Sequence, residues 1–404
     1  HWWGGRIVEL ETRPALRRTG WTMVAAACTT AGATYLLRVS AGPVLESVSH
    51  PLAAISAISF FVFFLPSLFA GVPAPVLSVV AMRGRDRAER ALGIMFATGA
   101  IGAIAGTLLA GFLFVPWIGT VATLLVIAAI YTLCAVGCFW LGRTGRKETG
   151  LAGAATLMIV LTGAATVNMP SICDRESSYY CIRNVDMSGD PQNPINLMVV
   201  DHLAHGVSAR NAPRVMYTAH AAMLDALPRM RMRRTGFTSF HIGGGTYSVP
   251  RAWADRGISG ITIAEIDPEV TAMATDQFWF APDTVNILHA DARLALRNSP
   301  TKFDVIVGDA FTDIAAPEHL VTLEFFDLVS RRLSPDGVFA MNLIDNVDRL
   351  DALAALIVTL REVFPSVEVW TAANPPTPGE RRVFVLHSKF STPCCEDFDY
   401  TIIT

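Results

Sequence analysis

The residues of this chain best suited to chemistry are a glycine cluster and the acid that follows it. Gly243, Gly244 and Gly245 end one apolar run, and a second apolar run ends at Glu265. Glycines let the backbone pass close to a ligand, and the start of the next helix offers free N–H groups. An acid about 20 residues after the first glycine suits the two hydroxyls of a ribose. The stretch predicts a nucleoside site, and Ser248, in place of a third glycine, favours S-adenosylmethionine over NAD.

Two later apolar runs also end in acids. Asp291 follows the run TVNIL, and Asp309 follows the run VIV, with Asp313 a short way further on. The run VIV is continuous, as expected for a strand that is buried on both faces. Because ligands of parallel α/β sheets bind at the carboxyl ends of the strands, these acids are predicted to lie near the glycine cluster.

Apolar runs that alternate with helical stretches must position these residues. From residue 239 onward the alternation predicts a mostly parallel, Rossmann-like sheet of the class I methyltransferase type. Residues 175–185 and 195–201 are rich in strand formers and predict a small β-hairpin domain ahead of this sheet. A helix is predicted over 213–228, and another begins at Pro317, which suits a first turn.

The N-terminal part is too apolar for a soluble domain. The chain is 52% hydrophobic and 17% charged, and residues 51–82 and 91–141 contain no charged side chain. Such runs exceed the roughly 20 residues that cross a bilayer. We therefore expect an α-helical membrane domain with about five spans, at about 21–40, 51–82, 91–114, from the VPWIG turn to about 141, and 151–168, the second of them kinked or broken by prolines. The predicted domains are a basic segment (1–20), the membrane domain (21–170), the small β domain (171–210) and the Rossmann-like domain (211–404).

The arginine clusters at 13–18, 83–90 and 143–147 fall on one side of the membrane if there are five spans. The positive-inside rule makes that side cytoplasmic, so the second domain is predicted on the opposite side. Four cysteines flank this domain: Cys173, Cys181, Cys394 and Cys395. They can form disulfides in an oxidising compartment, and free thiols are the alternative.

The partners expected from composition are few. The net charge of −3 implies no nucleic-acid partner, and no His/Cys spacing resembles a metal site. The lipid bilayer is the expected environment of the N-terminal domain, with other membrane-protein subunits or further copies of the chain as additional candidates. A transporter is disfavoured because no ionisable residue lies inside the central spans.

In order and spacing, the motifs of the second domain resemble the spermidine synthase family of aminopropyltransferases. The matching segments are IGGGTYSVP, AEID, HADAR and FDVIVGDAFTD, and upstream ESSYYCIRNV and LMVVDHLAHG resemble the family's small β domain. The resemblance covers residues 174–388. The apolar segments FLPSLFAGVPAPVLSVV and GIMFATGAIGAIAGTLLAGFLFVPWIGT are similar to the membrane region of bacterial proteins that fuse spans to such a domain. This implies a multi-pass protein of the bacterial inner membrane.

The resemblance also implies roles for individual residues. Glu265 would hold the ribose, and Asp291 with Ala292 would contact the adenine. Asp309 would orient and deprotonate the attacking amine, and Tyr217 would lie near that amine. The implied cofactor is decarboxylated S-adenosylmethionine, or S-adenosylmethionine itself, without a metal.

The chain departs from the family in its polyamine half. Thr246 stands where the family has an aspartate that faces the amino end of the decarboxylated cofactor. His205 replaces a glutamine, the acid expected after Tyr217 is absent, and Asp313 belongs to an aspartate pair of wider spacing. His205 and Asp313 remain the candidates for binding the amine. Because a buried ammonium without a partner is costly, the nucleoside half matches the family better than the polyamine half.

Three functions therefore remain open. The first is membrane-anchored aminopropyl transfer to an amine, with a degenerate polyamine site. The second is a catalytically inactive, spermidine synthase-like subunit with a structural role in a membrane complex. The third is an S-adenosylmethionine-dependent methyltransferase.

Overall fold

The computed structural model describes residues 1–83, 88–143, 145–169, 171–232, 234, 236–311 and 315–389. The chain falls into two compact units, which divide between Ser171 and Ile172. Among the earlier predictions, those on Asp313, Cys394 and Cys395 concern positions outside the described residues.

The first unit is helical. Its helices are α1 (Trp2–Ile7), α2 (Thr12–Ala31), α3 (Ala33–Ser47), α4 (Pro51–Ala70), α5 (Pro73–Met82), α6 (Ala88–Leu109), α7 (Val115–Leu141) and α8 (Arg146–Val167), with a π-helical turn at Ala110–Phe114. Helix α2 packs against α4, α7 and α8, and its small side chains are buried. Many large apolar side chains on α4, α6, α7 and α8 are exposed, as expected of helices whose surroundings are apolar.

Three helical segments are long and apolar enough to cross a membrane: Leu52–Met82, Leu92–Leu141 and Gly150–Val167. The first of them is interrupted between α4 and α5, where the prolines predicted a break. The second contains both of the spans expected at 91–141, separated at Gly119, whose φ of 77° is not helical. The expected first span, 21–40, is divided between α2 and α3 and is not among these segments. The count of five spans stays a prediction.

The second unit begins with a four-stranded antiparallel sheet, which is larger than the predicted hairpin. Its strands are β1 (Arg175–Glu176), β2 (Cys181–Asp186), β3 (Ile195–Val200) and β4 (Leu203–Ala209), in the order β1-β2-β3-β4. A disulfide joins Cys173 to Cys181 and closes the loop that contains β1. One side of the sheet packs through Ile182, Met198 and Val200 into the core of the larger domain.

A seven-stranded mixed sheet forms the rest of the unit. Its strands are β5 (Ser239–Ile242), β6 (Ile261–Ala264), β7 (Asn286–Leu288), β8 (Phe303–Gly308), β9 (Leu333–Asn346), β10 (Ser366–Thr371) and β11 (Arg381–Lys389). The spatial order is β10-β11-β9-β8-β5-β6-β7. The strands β5 to β9 pair in parallel, and β11 returns antiparallel between β9 and β10. This is the predicted Rossmann-like, methyltransferase-type sheet.

Helices cover both faces of this sheet, as buried apolar strands require. They are α9 (Ala219–Met232), α10 (Ser248–Asp255), α11 (Pro268–Gln277), α12 (Ala292–Asn298), α13 (Leu323–Arg332) and α14 (Asp351–Arg361). One core cluster packs α9, α10 and α11 against the sheet, and the other packs α12, α13 and α14 against the opposite face.

Two helix starts differ from the predictions. Helix α9 begins at Ala219, so Tyr217 lies in the connection before it, and the carbonyl of Thr218 accepts the first helical hydrogen bond from Ala222. The helix predicted from Pro317 is a short 3₁₀ turn followed by α13. Thr322 starts α13 because its hydroxyl accepts a hydrogen bond from the N–H of Phe325, at 3.3 Å, which is N-capping geometry.

Candidate active site

A cavity of about 420 Å³ lies at the carboxyl ends of the parallel strands. This volume is within the range of about 300–1,000 Å³ that is usual for small-molecule sites. The cavity is lined by the glycine turn after β5, by the ends of β6, β8 and β9, and by residues of the small sheet. The predicted residues that line it are Gly243, Gly244, Gly245, Glu265, Asp291, Ala292, Asp309 and His205.

The glycine turn is held tightly by its own surroundings. Gly243 has a φ of 91°, and a Cβ there would lie 2.7 Å from the carbonyl oxygen of Asp309. A Cβ on Gly244 would lie 2.4 Å from the ring of Tyr247. Gly245, with a φ of 52°, is different, because the nearest atom to a Cβ there is 3.8 Å away. Packing alone therefore requires the first two glycines, and only the third leaves open space beside the backbone.

Glu265 is buried beside this turn. Its Oε2 accepts a hydrogen bond from the N–H of Gly244 at 2.7 Å, and its Oε1 accepts one from the N–H of Asp267 at 2.9 Å. Burial raises the pKa of the Glu265 carboxyl, and these two N–H groups act in the opposite direction. The carboxylate is thus fixed at the end of β6, on the wall of the cavity.

Asp291 begins helix α12 at the end of β7. Its Oδ1 accepts a hydrogen bond from the N–H of Leu294 at 2.8 Å, and its Oδ2 lies 2.7 Å from Nε2 of His319. Ala292 next to it is buried. Both oxygens of Asp291 therefore have partners, and the small side chain that follows leaves room along this wall.

Asp309 stands at the end of β8, and its backbone N–H donates to the carbonyl of Ile242 at 2.9 Å. The amide nitrogen of Asn342 donates to its Oδ1 at 2.8 Å. Oδ2 accepts no hydrogen bond from a described residue and is not enclosed, so it faces the cavity. Burial raises the pKa of the Asp309 carboxyl. His220, the hydrogen bond from Asn342 and His205 each lower it, in that order of size, but burial is the largest effect. A carboxylate with a raised pKa and an open oxygen is suited to accept a proton.

The small sheet supplies a further wall. Tyr179 and Tyr180 line the cavity, and the hydroxyl of Tyr180 donates to the carbonyl of Phe311 at 3.4 Å. Burial and the nearby Glu265 and Asp267 carboxylates raise the pKa of Tyr180 to about 12, so the phenol stays neutral.

The small sheet also approaches the glycine turn directly. Gly206 in β4 allows this, because a Cβ there would lie 2.5 Å from the hydroxyl oxygen of Thr246. That hydroxyl is 2.7 Å from the hydroxyl of Ser248, so two hydroxyls lie where the family has an acid.

Some predicted residues are not brought into this group. Tyr217 is 42% exposed and is not among the described residues that line the cavity. Asp313 lies outside the described residues. Sequence reasoning missed His220, Asn342 and Tyr180, which lie on α9, on β9 and just before β2. The histidine stands three residues after Tyr217, within the segment compared with the family, and that position was a usable signal.

No group of three or more His, Cys, Asp or Glu side chains arranged for a metal ion is found among the described residues. The polar side-chain groups of the described cavity lining are carboxylates, imidazoles, hydroxyls, one amide and the guanidinium of Arg381. They fit a nucleoside with a cationic neighbour, since acceptors for hydroxyl groups and for an ammonium are both present.

The family model for the spermine/spermidine synthase domain matches residues 242–395. This part of the chain is similar to the spermidine synthase family. A polyamine aminopropyltransferase from Vibrio vulnificus is 37% identical over 128 residues, which are 30% of this chain and 41% of that protein. The N-terminal histidine N-methyltransferase of Emericella nidulans is 32% identical over 201 residues, which are 46% of this chain and 34% of that protein.

The match to these curated relatives is partial, spanning 34% and 41% of their own lengths. Among solved structures, a probable spermidine synthase from Corynebacterium glutamicum matches with a TM-score of 0.50 and 23% identity. The match covers 57% of this chain and 84% of that one. At 23% identity this match shows the fold alone, which the second unit shares with that structure.

Proposed function

We propose that this chain binds an S-adenosyl-type sulfonium nucleoside and transfers its aminopropyl group to an amine, with Asp309 as the base. The observation that carries the proposal is the open oxygen of Asp309, in a cavity whose other two lining acids already have partners. Asp309 is thus available to the reacting amine, and the two acids that already have partners are left for the nucleoside. An open cavity over the glycine turn also supports ligand binding over a purely structural role.

The residues act in separate steps. Glu265 and Asp291 bind the nucleoside, and the walls formed by the small sheet restrict water. When bound, the nucleoside supplies an electrophilic carbon: the amine nitrogen forms the C–N bond, the C–S bond breaks, and its electron pair stays on sulfur as a neutral thioether. Asp309 takes the proton that the amine loses. The amine must be neutral as it attacks, so it has to lose a proton. The raised pKa of the Asp309 carboxyl lies closer to the pKa of the amine, which makes the carboxylate a better proton acceptor.

A second candidate is methyl transfer from S-adenosylmethionine, and the paired hydroxyls of Thr246 and Ser248 favour it. Hydroxyls can donate hydrogen bonds to a carboxylate, and the N-terminus of α10 adds a favourable dipole. An aspartate at 246 would instead repel the carboxylate of S-adenosylmethionine. In this reading the same cavity and the same base serve a smaller transferred group.

The test uses the purified full chain in detergent. Methylthioadenosine, the thioether product, is titrated by calorimetry, and the protein is then incubated with either sulfonium nucleoside and a panel of amines that includes putrescine and amino carboxylates. The products are read by mass spectrometry. We expect binding of methylthioadenosine and alkylation of an amine. Absence of binding at millimolar ligand would refute the nucleoside site, and binding without any transfer would favour the inactive subunit.

We further propose that the three apolar helical segments anchor the chain in a membrane, with the second unit outside the cytoplasm. The Cys173–Cys181 disulfide supports this side, because disulfides persist in oxidising compartments. Intact cells labelled with a membrane-impermeant thiol reagent, with and without prior reduction, give the test. Labelling at Cys173 and Cys181 should appear only after reduction and without lysis. Labelling that needs lysis but no reductant would place the unit in the cytoplasm.

A further inference from the structure

Among the described residues, the cavity offers one acid to a second substrate. Three acids are among its described lining residues: Glu265, Asp291 and Asp309. Glu265 is hydrogen-bonded at both oxygens by backbone N–H groups, and both oxygens of Asp291 also have partners. Asp309 alone keeps an oxygen without a described donor. A diamine has two ammonium groups, and the described wall provides a carboxylate for one of them.

The strands next to Asp309 lead from this acid to a cation. Asn342 and Ile344 both line the cavity, because alternate residues of β9 point to the same side. The register places Arg381 of β11 opposite Asn346, which continues the same alternation. Arg381 also lines the cavity, its side chain is exposed, and it forms no ion pair with a described acid. The order along this wall is therefore amide, isoleucine, guanidinium.

The spacing along this wall limits the length of a bound molecule. From Asn342 to the level of Arg381 the backbone rises about 13 Å, at about 3.3 Å per residue. The side chains at both ends reach into this gap and shorten it. Ile344, between them, offers apolar contact and no hydrogen bond. The wall suits a short methylene chain with a different charge at each end.

We propose that the amine substrate is an amino carboxylate, with its amine at Asp309 and its carboxylate at Arg381. A guanidinium binds a carboxylate through two parallel hydrogen bonds, so Arg381 recognises this group specifically. The second ammonium of a diamine would lie at the carboxylate position and face Arg381. Closer to Asp309, the diamine would also lie near His205 and His220. The pocket thus selects against diamines by like charge, as well as for amino carboxylates by pairing.

This inference rests on the proposed function, because it names the substrate of the same site. The experiment measures binding of two matched acceptors to the full chain in detergent, with saturating methylthioadenosine. The acceptors are 6-aminohexanoate and hexane-1,6-diamine, which have equal numbers of backbone carbons and differ in one end group. We expect the amino carboxylate to bind at least about tenfold more tightly.

The decisive variant is Arg381→Glu, which should reverse the preference. Arg361→Glu is the matched control, because Arg361 is exposed at the end of α14 and does not line the described cavity. It should keep the preference of the unmodified protein. Retained binding of methylthioadenosine shows that each variant is folded.

Three outcomes would overturn the inference: tighter binding of the diamine to the unmodified chain, equal ratios in the unmodified chain and Arg381→Glu, or binding of neither acceptor at millimolar concentration. Failure of methylthioadenosine to bind would instead refute the proposed nucleoside site. The two acceptors are then titrated without it, so the preference set by Arg381 is still measured.

Discussion

The proposed nucleoside half of the cavity, at Glu265, and the proposed amine half, at Asp309, hold their acids in different ways. Glu265 is fixed by the N–H groups of Gly244 and Asp267, so the backbone itself provides its partners. Asp309 is fixed by the side chain of Asn342 and lies near His205 and His220. Backbone donors persist through most substitutions, whereas side-chain neighbours change with a single one. The proposed nucleoside site therefore depends less on any one side chain than the proposed amine site does.

The variant that separates the halves most is Asp309→Asn. It keeps the shape and the hydrogen bond from Asn342 but removes the proton acceptor, so transfer should fall by about 10²–10⁴-fold. Binding of methylthioadenosine should be unchanged, because the nucleoside half is untouched. Rates come from mass spectrometry of the alkylated amine, and Asp336→Asn, an exposed position, is the control. Unchanged turnover in Asp309→Asn would assign the base to another residue.

The reciprocal variant is Glu265→Gln in the nucleoside half. Hydrogen bonds to a charged group contribute about 1.5–3 kcal/mol, so methylthioadenosine should bind about 10- to 100-fold more weakly. The affinity for the amine substrate should change much less. Calorimetry measures both, with the exposed Glu362→Gln as control. Equal loss of both affinities would mean that the two halves are not independent.

The boundary between the halves is tested by Thr246→Asp. A carboxylate at this position repels the carboxylate of S-adenosylmethionine and attracts the amino end of the decarboxylated form. The ratio of their affinities should move at least about tenfold toward the decarboxylated nucleoside. Thr246→Asn has nearly the same shape without the charge and should leave the ratio near that of the unmodified chain. If both variants shift it equally, shape at this position matters and charge does not.

The smallest expected effect is on the pH dependence of the amine half. If Asp309 is the base, as proposed, it works only when ionised, so the rate should rise with pH through the raised pKa of Asp309. The hydrogen bond from Asn342 lowers that pKa, and its removal in Asn342→Leu should move the acid limb of the profile upward, by roughly one pH unit at most. The exposed Asn298→Leu serves as control. A shift to lower pH would contradict the role given to Asn342.

Much of the fold was predictable because it depends on local patterns. The alternation of apolar runs and helical stretches after residue 239 predicted the mostly parallel sheet, and the spacing of Gly243 and Glu265 predicted their places at the ends of β5 and β6. The helix expected from Pro317 was wrong in detail because Thr322 caps a later start, and such competition between two valid start signals is decided by packing. The small sheet exceeded the hairpin because β1 pairs with β2 at one edge and β4 pairs with β3 at the other.

By itself, the sequence determined which residues stand at strand ends, since a period of two residues and a run of apolar side chains are local properties. It also determined the apolar character of the first unit. Only the tertiary structure decided which residues share a wall of the cavity with Asp309. Asn342 is 33 residues away in the chain and Arg381 is farther still, and the return of β11 antiparallel to β9 brings both to one wall. No local pattern encodes that register, because it is set by hydrogen bonds and packing between strands that are remote in sequence.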